Sequence, residues 1–194
     1  MTGSSGAGVR RYNSRVASPV GHISVGLAAG AVLARATGTP DSAALWGAVA
    51  IASMIPDFDV ALTAVGFPKR FHRSVTHSLP FVLAVIGAGV AFQRMSGFHV
   101  EAGFTLAWIA ALASHPFLDV VTSGPTIGRL GWGIPLFWPF SGRRFWVRRP
   151  LFVGDRGESN RLVDTMREMA EDARWITPWC VGVILITRLL PAPW

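Results

Sequence analysis

Apolar residues run along the chain in five long blocks with short polar connections between them. The blocks extend from about Pro19 to Ala36, Ser42 to Pro56, Thr76 to Phe92, Ala102 to Leu118 and Trp175 to Leu190. Each predicts a helix. A helix needs about 20 apolar residues to span a bilayer, and several of these blocks are shorter; segments one and two are expected to be tilted, partly interfacial or re-entrant. The turn Gly38-Thr39-Pro40-Asp41 separates them, with Asp41 or Ser42 placed to cap the second. Gln93 and Arg94 close the third. Between Asp155 and Arg174 the pattern turns polar. Leu162, Met166, Met169 and Ala173 recur at helical spacing, with Asp164, Arg167, Glu168, Glu171 and Asp172 on other faces. That spacing predicts an amphipathic helix on the cytosolic surface, its acidic groups solvated and without a catalytic role. The expected fold is all-α: a membrane helix bundle of four core helices plus a C-terminal amphipathic helix and a further hydrophobic helix.

Composition strengthens the membrane reading. Charged residues make up 15% of the 194, against roughly 25% in a soluble domain, and the mean hydropathy is +0.40. The net charge is +7, and every basic residue except Lys69 is arginine. Nucleic acid or an anionic membrane surface could each answer that charge; the apolar context selects membrane lipids, and no nucleic-acid partner is expected. The single cysteine, Cys180, excludes an intrachain disulfide. No glycine-rich nucleotide loop and no Gly-x-Ser-x-Gly elbow is present, which argues against serine-based acyl transfer. Residues 1–18, rich in Gly and Ser and carrying Arg10, Arg11 and Arg15, have no apolar core of signal-peptide type and are expected to form a disordered, basic cytosolic arm. Residues 19–150 are then the membrane-embedded domain. Residues 151–194 hold the surface helix and the last apolar helix.

The candidate chemistry lies where the apolar blocks end. Antiparallel neighbours with short connections place the start of segment one, the end of two, the start of three and the end of four on one side. Those positions carry His22, Asp57 with Asp59, His72 with His77, and His115 with Asp119. His99 alone of the histidines falls in a far loop. Imidazole and carboxylate together suit zinc, manganese or iron. His115 and Asp119, four apart, share a helix face and can grip one ion. His72 and His77 fit a loop-to-helix junction with Ser74 or Thr76 as cap. Asp57 and Asp59 fit a turn after Pro56. Seven candidate ligands exceed the four of a single tetrahedral ion, so either two ions bind, or some of these groups support the others or act as general base. Arg10, Arg11, Arg15, Lys69, Arg70, Arg73, Arg129, Arg143, Arg144, Arg148 and Arg149 flank this end, whereas the opposite loops offer Arg35 and Arg94. The positive-inside rule then turns the cluster toward the cytoplasm.

Gly21-His22-Ile23, Pro56-Asp57-Phe58-Asp59, His72-Arg73-Ser74-Val75-Thr76-His77-Ser78 and His115-Pro116-Phe117-Leu118-Asp119 resemble the YdjM-like family of membrane-bound metal-dependent hydrolases. Leu136-Phe137-Trp138-Pro139-Phe140-Ser141 is similar to that family's aromatic loop. The resemblance runs from about Pro19 to Pro150, with the arm and the tail beyond Arg156 outside it. It implies a multi-pass inner-membrane protein with divalent-metal hydrolase chemistry. In that reading His22, Asp57, Asp59, His72, His77, His115 and Asp119 hold the metal, with Asp57 or Asp59 free as base and Arg73 on the substrate. A phosphoester or ester, an anionic lipid among the candidates, would suit a mouth lined by Arg73, Arg143 and Arg144. The other readings are a membrane protein with a structural or sensing metal site and an ion-conducting bundle. Few polar residues through the middle of segments three and four speak for the last. From Thr122 to Pro150, Trp132, Phe137, Trp138, Phe140, Phe145 and Trp146 stand among five arginines. Such mixing suits single-stranded nucleic acid or, beside membrane segments, the headgroup layer.

Overall fold

The computed structural model describes residues 17–60, 66, 74–97, 100–123, 133–148 and 161–191. Its elements are helices: α1 (Pro19–Ala36), α2 (Ala43–Met54), α3 (Leu79–Ser96), α4 (Ala102–Thr122), α5 (Arg161–Trp175) and α6 (Thr177–Leu189), with α2 running into a 3-10 turn at Ile55–Phe58. Among the described residues no strand forms, and Ile134 and Phe145 make one isolated bridge. The protein is all-α. Local chemistry sets the helix starts. Ser42 accepts the Leu45 N–H at 3.0 Å, and Ser78 accepts that of Phe81 at 3.3 Å, each satisfying a donor that has no partner within its helix. Proline sits in the first turn of α1, α3 and α6, where its missing N–H costs nothing.

Helix α1 lies at the centre, against α2, α4, α5 and α6. Its glycines permit this. A Cβ on Gly26 would collide with the Ser53 side chain, and one on Gly30 would stand 2.7 Å from Val49. Gly26-x-x-x-Gly30 thus forms the face on which α2 rests. Leu45, Val49 and Ala52 of α2 meet Ala107, Ala111 and Leu112 of α4 in a fully buried core. In water, burying a Leu or Val side chain contributes about 1.5–3 kcal/mol. Lipid tails are as apolar as leucine, so in a membrane that gain largely vanishes and close backbone approach through small residues takes over.

Among the described residues three helices, α1, α3 and α4, are long and apolar enough to cross a membrane; α2 with its turn and α6 are apolar but shorter. At 18 residues and about 1.5 Å per residue, α1 reaches nearly the thickness of a bilayer core. Helix α3 leans outward. Only Val82 of it is buried, while Leu83, Phe92 and Met95 point away from the bundle, as lipid-facing residues do.

The start of α1, the end of α2, the start of α3 and the end of α4 share one end of the bundle. The Ala17 N–H reaches the Thr122 hydroxyl at 3.4 Å, tying the first helix to the end of the fourth. Segment 133–148 covers the same end, where the Leu79 N–H donates to the Leu136 carbonyl at 2.8 Å and the Val147 N–H to that of Ser123 at 3.2 Å. Helix α6 begins beside α1, Ser24 and Thr177 hydroxyls 2.9 Å apart, and finishes at the far end. There Arg35 Nε donates to the Thr187 carbonyl at 2.9 Å and Arg188 pairs with Asp41 at 2.6 Å.

Helix α5 departs from expectation at one residue. Asp172 is buried and accepts the Ser18 N–H at 2.6 Å. The start of α1 presents unpaired N–H groups and the positive end of its dipole, which an anion satisfies. Gly21 leaves room for it: a Cβ there would lie 2.7 Å from Asp172 Oδ2.

Candidate metal centre

Four elements each deliver one or two polar groups to the shared end. His22 lies in the first turns of α1, and Asp57 in the 3-10 turn that continues α2. His77 precedes α3 by two residues, held there because Ser78 must cap that helix. His115 and Asp119 stand one turn apart on α4, with Pro116 between them. All but Asp57 are buried; its side chain is 18% exposed and marks the solvent side.

The donors converge. His77 Nε2 and His115 Nε2 are 3.2 Å apart. Asp57 Oδ1 lies 3.3 Å from the first and 3.5 Å from the second, and Asp119 Oδ2 lies 3.3 and 3.6 Å from them. An ion with arms of about 2.1 Å to nitrogen and oxygen sets tetrahedral donors about 3.4 Å apart. Octahedral neighbours at the same arm length would stand closer, near 3.0 Å. The five observed spacings, 3.2–3.6 Å, are of the size expected between donors that share one ion. Asp119 also turns Oδ1 to His22 Nε2 at 3.5 Å, and the His22 ring stacks on His115 with centroids 3.7 Å apart and planes 11° from parallel.

His115 Nδ1 lies 2.6 Å from the Ser53 carbonyl, which can only accept, so Nδ1 carries a hydrogen, and in its neutral form the ring presents a bare Nε2. That lone pair faces two carboxylate oxygens and a second imidazole nitrogen. Burial keeps the His77 imidazole below its ordinary value, against the pull of Asp57. Ionised carboxylate beside neutral imidazole is the protonation state that metal ligation requires. Acceptors this close repel one another unless a cation sits among them. The donor set therefore fits a divalent ion.

Of the residues singled out from sequence, His22, Asp57, His77, His115 and Asp119 meet in this cluster, and two overlapping groups, His22 with His115 and Asp119 and Asp57 with His77 and His115, are able to hold a metal. Asp59 turns aside. Its Oδ2 accepts the Thr76 hydroxyl at 2.7 Å and stays 3.9 Å from His77 Nδ1. His72 and Arg73 lie outside the described residues, as do the arm to residue 16 and the aromatic Trp132. Sequence reasoning passed over the Ser53 carbonyl, because a backbone group leaves no mark in the residue alphabet. Thr76 stood in view as a cap, but Ser78 performs that task.

The family model described as YdjM inner membrane protein matches residues 18–191. The match passes well beyond Arg156, so α5 and α6 belong to the family's body and are not an added tail. A relative, inner membrane protein YbcI of Escherichia coli (strain K12), is 35% identical over 103 residues, 50% of this chain and 54% of the relative. The chain thus spans about half the length of the curated relative it matches. No solved structure matches. With its apolar helices, its buried His/Asp cluster and a family match over nearly its whole length, the chain belongs to the YdjM family of inner membrane proteins.

Proposed function

We propose that the protein is a membrane-bound metal-dependent hydrolase that cleaves an ester or phosphoester, with lipid esters within reach, at the cytoplasmic face. The observation that carries this reading is the facing of His77 Nε2, His115 Nε2, Asp119 Oδ2 and Asp57 Oδ1 at 3.2–3.6 Å. His77, His115 and Asp119 form a two-imidazole, one-carboxylate set in the dry interior, and Asp57 stands at the fourth corner on the solvent side. A bound zinc, manganese or iron ion would supply a Lewis acid and bring the pKa of a water to about 7. Asp57, partly open to solvent, is placed to take that water's proton. Asp119 spans the gap to His22, which leaves a second cation position or a supporting role for that ring.

Two further features support the substrate class and the orientation. Arg143 and Arg148 are exposed on the segment that covers this end, and Arg73 joins them by sequence as a candidate phosphate contact. Among the described residues the far end carries Arg35, Arg94 and Arg188, two of them already engaged with Thr187 and Asp41. The arginine excess at the metal end, with Arg10, Arg11, Arg15 and Lys69 to Arg73 flanking it in sequence, favours a cytoplasmic setting.

A test uses detergent-purified protein on a panel of phosphoesters and carboxylic esters, stripped with chelator and reloaded with each ion. Asp57→Asn should retain metal and lose about 100-fold or more in turnover, the low end of what a general base contributes. Turnover that survives metal removal, or an Asp57→Asn protein as fast as wild type, contradicts the proposal. One observation favours a second reading, a structural or sensing metal: His77 and His115 meet carboxylate oxygens of both Asp57 and Asp119, and four protein donors on one ion would leave no position for water. Metal bound without turnover on any ester, and lower thermal stability on stripping, would select it.

A further inference from the structure

The two histidines at the heart of the cluster are held by different means. His115 leans on a backbone carbonyl of α2, whose position is guaranteed by the helix. His77 leans on a side chain. Its Nδ1 lies 3.0 Å from Thr76 Oγ1. The Thr76 hydroxyl hydrogen points elsewhere, to Asp59 Oδ2 at 2.7 Å. A hydroxyl has one hydrogen and two lone pairs. With that hydrogen committed to the carboxylate, Thr76 can only accept from His77, so the imidazole carries its hydrogen on Nδ1 and offers a bare Nε2 to the cluster.

We infer that Thr76 and Asp59 form a relay that positions His77 and fixes its tautomer for metal binding, Asp59 anchoring the hydroxyl rather than touching the ion. The inference rests on the metal-centre reading above. It reassigns Asp59, which the sequence alone placed among the ligands. It also explains why a threonine immediately precedes the histidine although Ser78 caps α3. The side chain of a valine would fill the same space without either bond. Without the relay, His77 is free to carry its hydrogen on Nε2 and to present an N–H to the cation.

The experiment compares zinc affinity, by competition with a chelating dye, and the visible spectrum of the cobalt-loaded protein, in wild type, Thr76→Val, Thr76→Ser, Asp59→Ala and the Thr76→Val/Asp59→Ala double variant. Thr76→Val should bind zinc about 10–100-fold more weakly, the usual effect of losing a hydrogen-bond partner of a ligating histidine, with an altered cobalt spectrum. Thr76→Ser, which keeps the hydroxyl, should return to near the wild-type affinity. Asp59→Ala should weaken binding no more than Thr76→Val, and the double variant should resemble Thr76→Val, because Asp59 acts through the threonine. Wild-type affinity in Thr76→Val, no rescue by serine, or losses that multiply in the double variant would overturn the relay while leaving the metal centre standing. Wild type that binds neither zinc nor cobalt would overturn both.

Discussion

At the scale of residues, the centre depends on acceptors forced together. His115, buried with Nδ1 spent on Ser53, has no other use for Nε2 than the cluster. Removing one donor should therefore do more harm than removing a supporting partner. His77→Ala and Asp119→Ala are each expected to weaken zinc binding by more than about 100-fold, beyond the range for supporting groups, as measured by dye competition on folded, detergent-purified protein. His22→Ala should fall short of that loss, since His22 Nε2 meets Asp119 Oδ1 at 3.5 Å while its ring stacks on His115; an equal loss would give it a full ligand's part. The candidate residues were legible because ionisable groups beside membrane segments are costly and tend to be functional. Their division of labour was not. Which oxygen of Asp119 faces which ring, and that Asp59 turns to Thr76, depends on rotamers that spacing along the chain does not encode.

At the scale of elements, the site is built by small residues. Gly26 and Gly30 let α2 approach α1 until Ser53 can support His115. Gly26→Val should overpack that contact, costing about 1–3 kcal/mol and lowering both thermal stability in detergent and metal affinity. Gly47→Ala is the control. Nothing lies within 4 Å of a Cβ there, so the substitution should be neutral or mildly stabilising, as alanine is the better helix former by about 1 kcal/mol. Equal effects at the two positions would contradict the packing argument. Helix positions followed well from the sequence: the first apolar block, Pro19 to Ala36, is α1 to the residue, because proline opens it and the Gly38 turn closes it. Asp172 was misread as solvated. Its burial depends on α5 meeting the start of α1, a contact 154 residues away in sequence that no local pattern announces.

At the scale of the whole molecule, the antiparallel order brings groups from four elements to one end, and this was readable once up-and-down travel was assumed. The cytoplasmic setting proposed for that end predicts a labelling pattern. In a Cys180→Ser background, Gly142→Cys, on the segment covering the cluster, should react with a membrane-impermeant maleimide only after permeabilisation, and Glu101→Cys, in the far connection, before it. The reverse pattern would turn the site outward and remove the arginine argument. The most direct test of the central claim is elemental analysis of the purified wild type beside His77→Ala and Asp119→Ala. The facing acceptors predict about one transition-metal ion per wild-type chain, or two if His22 serves a second, and little in either variant. A folded wild-type protein devoid of zinc, manganese and iron, unable to take up any of them when offered, would contradict it.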